Sequence, residues 1–90
     1  MPNFGVIVAN KAKKGLNEFD EKTKRKIVEA LFELEFEPVP AKKYNMDKVA
    51  NTTCTYRIRI QFVRIVYDVF WDDKRIEVLK IERKKDRTYK

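Results

Sequence analysis

The stretch that most constrains this chain is Cys54–Tyr67, CTYRIRIQFVRIVY. From Cys54 to Gln61 apolar and polar residues alternate strictly. Cys54, Tyr56, Ile58 and Ile60 fall on one face, and Thr55, Arg57, Arg59 and Gln61 on the other. That period of two marks a half-buried strand, with Cys54 read as a core residue on its apolar face. A second alternating run places Val63, Ile65, Tyr67, Val69 and Trp71 together, with Arg64 and Asp68 opposite. A two-residue turn at Gln61-Phe62 would set Ile60 against Val63, Ile58 against Ile65 and Tyr56 against Tyr67. The same register sets Arg59 directly opposite Arg64, with Arg57 diagonally near. Like charges opposed across a ladder destabilise a sheet, so an anion is expected there. The plainer alternative is that these arginines point outward and pair with Asp68 or Glu77.

The charge of the chain supports an anionic partner. Its formal net charge is +7, and it is uneven: residues 1–50 carry ten basic and eight acidic side chains, residues 51–90 eleven and six. A basic half on a small domain suggests a polyanion, nucleic acid first. A lysine-rich solvated surface is the competing account. Ninety residues make one domain, 1–90, with a single modest core. The lone Cys54 excludes an internal disulfide framework. The absence of histidine removes the commonest general base and metal ligand, so no metal or other cofactor is expected. Phe4–Ala9 is too short for a signal-peptide core and no run reaches membrane-spanning length, which makes a reducing, cytoplasmic setting the default.

Phe4–Val8 reads as a strand packed on both faces. Asn10 caps a helix over Lys11–Glu18, weakened by Gly15, with Ala12, Leu16 and Phe19 near one face. Asp20 or Thr23 opens a stronger helix to about Phe36, whose apolar stripe is Ile27, Leu31 and Leu34, widened by Val28 and Phe32. Pro38 and Pro40 stop it. Residues 37–53 read as a loop anchored by Tyr44, Met46 and Val49. After the two central strands, a turn at Asp72-Asp73-Lys74 leads to a strand over Arg75–Ile81. That strand carries Leu79 and Ile81 on one side and Ile76, Val78 and Lys80 on the other. The basic tail RKKDRTYK follows Glu82. The order β-α-α-β-β-β is an α+β domain, a helical hairpin on one face of a mostly antiparallel sheet.

No paired carboxylates, glycine-rich phosphate loop or histidine-based triad is present. What remains is arginine: Arg57, Arg59 and Arg64 on one sheet face, and Arg83, Lys84, Lys85, Arg87 and Tyr89 near the end of the last strand. Guanidinium groups bind phosphate bidentately and stay charged, and an aromatic ring can stack on a splayed base. That combination suits single-stranded RNA better than a DNA groove.

YRIR (Tyr56–Arg59), VRIVYDV (Val63–Val69), the proline-bearing EPVP loop and the basic segment ending in Tyr89 together resemble the RelE family of toxins from toxin–antitoxin operons. The likeness is to archaeal-type members of the wider RelE/ParE superfamily, and it spans nearly the whole chain. It implies a fold like that of the microbial ribonucleases. It also implies a ribosome-dependent mRNA endoribonuclease in which the 2′-OH attacks the adjacent phosphate without a metal. Arg57, Arg59 and Arg64 would match the family's basic strand residues, and Tyr89 its stacking tyrosine. Counting back from Tyr89 selects Arg83 as the last catalytic cation and aligning the strand selects Lys84, with Lys85 and Arg87 further candidates for RNA contact.

Three departures stand out. Arg57 and Arg59 replace the family's usual lysines, and arginine effectively cannot act as a base, which leaves a charge-stabilising role. Gln61-Phe62 replaces a Gly-Asp-like turn, so a bulge or wider turn is expected. Asn51 stands where glycine is frequent and accepts positive φ. The implied partners are the ribosome and mRNA, a RelB-like antitoxin that is acidic and wraps the domain, and operator DNA only through the antitoxin complex. A ParE-like toxin acting on DNA gyrase, and an RNA-binding domain without toxicity, are the alternatives.

Overall fold

The computed structural model describes residues 3–83. In chain order the elements are β1 (Gly5–Val8), α1 (Asn10–Leu16), α2 (Glu21–Phe36), β2 (Asn45–Lys48), β3 (Thr55–Ile60), β4 (Val63–Phe70) and β5 (Arg75–Arg83). They build one sheet of order β1-β5-β4-β3-β2, antiparallel except for the parallel β1–β5 pair. The fold is α+β, with one strand more than the pattern of the sequence suggested. β2 lies inside the expected loop and pairs antiparallel with β3. Its sequence, NMDK, is poor in strand formers, so pairing with β3 and the packing of Met46 on the core hold it extended.

The β3–β4 hairpin has the register that alternation demands: Ile60 opposite Val63, Ile58 opposite Ile65, Tyr56 opposite Tyr67 and Arg59 opposite Arg64. The connection is a tight two-residue turn with no bulge, because Gln61 itself takes the left-handed conformation at φ 54°. Asn51, at φ 64°, adopts the conformation its side chain tolerates. Cys54 precedes β3 and is half-buried, and Trp71 follows β4 and is exposed; neither belongs to the core face.

The core lies between the sheet and both helices. Ile58, Val63, Ile65, Tyr67, Val69, Ile76, Val78 and Ile81 face Ala12, Phe19, Ile27, Ala30, Leu31 and Leu34. Each buried aliphatic side chain contributes about 1.5–3 kcal/mol. β5 supplies Ile76, Val78 and Ile81 together because the β4–β5 register shifts between Val66 and Tyr67. Val66 faces Lys80 while Tyr67 faces Val78. The extra residue, Leu79, is a β-bulge that reverses the alternation, which unbroken period-two reading cannot anticipate. β1 is an edge strand covered on one face only, with Ile7 53% exposed. On α2 the buried stripe is Ile27, Ala30, Leu31 and Leu34, whereas Val28 and Phe32 are exposed.

Local chemistry ends the helices where it should. Asp20 caps α2, its carboxylate accepting from the Thr23 N–H at 3.0 Å. Hydrogen bonding with the side chain and backbone of Thr23 holds the Asp20 carboxyl below its ordinary value. α1 begins one residue earlier than its sequence suggests: Ala9 occupies the cap position and Asn10 is the first helical residue. Gly15 is there for close approach. A Cβ at this position would lie 1.9 Å from the Ile81 carbonyl oxygen. Beyond α2, the fully buried Tyr67 hydroxyl donates to the Pro38 carbonyl at 2.7 Å, fixing the proline loop to the sheet. Burial pushes the Tyr67 phenol well above its ordinary value.

Gly15→Ala, favourable by about 1 kcal/mol as a helix substitution, is expected instead to destabilise by about 1–3 kcal/mol through overpacking against β5. Its thermal midpoint by circular dichroism should fall; a rise would contradict the contact. Tyr67→Phe strands the Pro38 carbonyl and is expected to lower stability in urea unfolding by about 1–3 kcal/mol.

Candidate functional site

The sheet face away from the helices carries the cations. The strand registers arrange it in two rows. One row reads Asn45, Arg59, Arg64, Glu82 across β2, β3, β4 and β5; the next reads Asp47, Arg57, Val66, Lys80. Arg57, Arg59 and Arg64 therefore stand together, each partly shielded by its neighbours, with side-chain exposures of 27%, 31% and 31%.

Their repulsion is offset by two flanking carboxylates. Arg57 donates to both oxygens of Asp47, from Nε at 3.2 Å and Nη2 at 2.7 Å. Arg59 Nη2 lies 3.5 Å from the same carboxylate. The hydrogen bond from Arg57, with the charges of Arg57, Arg59 and Arg64, holds the Asp47 carboxyl below its ordinary value of 3.8. The reciprocal bond raises Arg57. On the other flank Arg64 Nη1 reaches Glu82 Oε2 at 3.5 Å, and Lys80 Nζ lies 3.9 Å from Glu82 Oε1. Arg64 Nε is buried and finds no acceptor among the described residues. Asp68 and Glu77 are engaged elsewhere: Thr55 donates to Asp68, and Arg75 Nε donates to Glu77 at 3.0 Å.

Sequence reasoning missed both flanking acids. Asp47 sat in what read as loop. The signal was Tyr44 and Met46, which pack on the core and so turn Asn45 and Asp47 to the other face. Glu82 stood at the junction with the tail and drew no attention.

Arg83 does not join this cluster. The bulge at Leu79 puts Arg83 in register with Val63 on the helix-facing side. There its guanidinium lies over the rings of Phe62 at 4.8 Å and Phe19 at 5.4 Å. Lys84, Lys85, Arg87 and Tyr89 lie outside the described residues. Among the described residues, no three His, Cys, Asp or Glu side chains converge so as to hold a metal ion.

A sheet face carrying three clustered arginines, flanked by acids and backed by two helices, marks a small α+β protein with a cationic open face. Comparison with known proteins gives the family. The model of the ParE toxin of type II toxin–antitoxin systems matches residues 6–87. A protein named RelE1 from Methanocaldococcus jannaschii is 30% identical over 81 residues, covering 90% of each chain. The structure is similar to that of an archaeal RelE–RelB complex from Pyrococcus horikoshii, with a TM-score of 0.85 and 30% identity over 94% of this chain and 99% of that one. The intact E. coli RelBE complex shares the fold, at a TM-score of 0.76 and 17% identity over 93% and 99% of the two chains. This chain belongs to the RelE/ParE family of type II toxin–antitoxin toxins.

Asp47→Asn releases Arg57 and Arg59. Binding of a single-stranded RNA oligonucleotide should tighten, and the slope of log affinity against log salt should steepen by about 0.7. Because the folded carboxyl titrates below 3.8, its pair with Arg57 supports the fold above that pH and is lost as pH falls through the lowered value. The stability difference between wild type and Asp47→Asn should accordingly be full at neutral pH and shrink below pH 3.8.

Proposed function

We propose that this toxin is a ribosome-dependent endoribonuclease that cuts mRNA in the decoding site and is silenced by a RelB-like antitoxin. The observation that carries the reading is the juxtaposition of Arg57, Arg59 and Arg64 on one open sheet face. Attack of a ribose 2′-oxygen on the neighbouring phosphate builds up negative charge on a pentacoordinate phosphorus. Fixed guanidinium donors meet that charge without reorganising, and removing one such donor typically costs about 10²–10³ in rate. The P–O5′ bond then breaks, leaving a 2′,3′-cyclic phosphate. Lys84, Lys85, Arg87 and Tyr89 would add cations and a stacking ring from the C-terminal segment, with Arg83 held against Phe19 and Phe62 as a support for that end of β5.

The antitoxin reading rests on the 30% identical Pyrococcus horikoshii protein, which forms a RelE–RelB complex. An acidic, amphipathic chain laid over the arginine face would neutralise it. Operator DNA would be reached only through that complex. The ribosome and mRNA are the remaining partners. A second reading, a ParE-like toxin that inhibits DNA gyrase, is favoured by the description of the matching family model. It predicts inhibition of supercoiling that survives loss of Arg59 and Arg64.

The test is cleavage of mRNA on programmed ribosomes, mapped by primer extension. Wild type should cut, and Arg64→Ala should cut about 100-fold more slowly or worse. Equal activity of the two proteins, or gyrase inhibition by both, would sink the nuclease reading.

A further inference from the structure

We infer that Glu82 is the group that accepts the 2′-OH proton during RNA cleavage. This rests on the nuclease reading above and supplies what its arginines cannot, a base. Among the described residues two carboxylates contact the arginines of this face, and they are not equivalent. Both oxygens of Asp47 are taken by Arg57, at 3.2 and 2.7 Å, and Arg59 adds a third cationic contact. Its carboxyl is held below the ordinary range, so it is a poor base, and each of its oxygens already faces a guanidinium.

Glu82 is held loosely. Its contacts with Arg64 at 3.5 Å and Lys80 at 3.9 Å are longer than a good charge-assisted hydrogen bond, about 2.7–2.9 Å. Glu82 and Arg64 are direct cross-strand partners, next to the Arg59–Arg64 pair in the same row. A phosphate gripped by Arg59 and Arg64 therefore presents its ribose beside Glu82. Glu82 also borders a hollow of about 320 Å³ between α1 and the end of β5, which neither Arg59 nor Arg64 lines. The charged groups facing Glu82 are Arg64 from β4, Lys80 from β5 and, on the same hollow, Lys11 and Lys14 of α1, Glu18 just beyond it and Arg83.

In the step, Glu82 takes the 2′-OH proton as the 2′-oxygen bonds to phosphorus. The P–O5′ bond breaks with its electron pair on the 5′-oxygen, which is protonated from water. Glu82 then returns its proton to solvent.

The test is single-turnover cleavage on programmed ribosomes by full-length wild type, Glu82→Gln and Glu82→Asp, across pH, with circular dichroism to verify folding. Glu82→Gln should lose about 10²–10⁴ in rate and the acid limb of the pH profile, with ribosome binding retained. Glu82→Asp should recover part of both. A merely neutralising Glu82 predicts the opposite sign: its loss would free Arg64 for phosphate and raise binding and rate. If wild type cuts and Glu82→Gln cuts as fast or faster, the proton-acceptor role is overturned and the nuclease reading stands. If wild type does not cut at all, both fall together.

Discussion

The register of the β3–β4 hairpin is the constraint on which the sheet and its chemistry depend. A slip of one residue would turn either Ile58 of β3 or Ile65 and Tyr67 of β4 to the open face, so burial of these large side chains fixes the pairing. The same pairing forces Arg59 against Arg64, and no local adjustment can relieve that repulsion without breaking the core. The relief comes from outside the hairpin. β2 brings Asp47 to one flank and β5 brings Glu82 to the other, so the edge strands serve the electrostatics of the centre as well as completing the sheet.

Gly15 plays the matching role on the helical side. Because nothing separates α1 from the Ile81 carbonyl, the helix lies hard against β5 at the end of the strand that carries Glu82. The hollow beside Glu82 has one wall from this helix and the other from the strand. Helix placement and the surroundings of the site are thus set by one missing methyl group. In helix-propensity terms alone the same glycine looks like a weakness.

Much of this was legible in the sequence because period-two alternation is a direct image of a half-buried strand. Tyr56–Ile60 and Val63–Val69 gave the hairpin and the arginine opposition, but not the tightness of the turn, where Gln61-Phe62 argued for a bulge. Three features left no such image. β2 is a strand by pairing and not by composition. The bulge at Leu79 changes which residues share a face while leaving composition untouched, so Ile81 was grouped with Leu79 and Arg83 was counted with the open-face cations. On α2, hydrophobicity marked Phe32 as core, but the sheet ends at β1 and that side chain is 60% exposed. The carboxylates of the site were illegible for a related reason: an acid reads as solvated surface until the strand beside it is known.

The bulge has a consequence for how such a chain can diverge. After Leu79, the side of the sheet to which each β5 residue belongs is decided by a count, not by its identity. A chain that shed one residue there would exchange the two faces of the strand's end, turning Glu82 toward the aromatic pair and Arg83 toward the arginines. Insertion and deletion, more than substitution, are therefore the steps by which lineages sharing this scaffold can swap a carboxylate for a guanidinium beside the paired arginines.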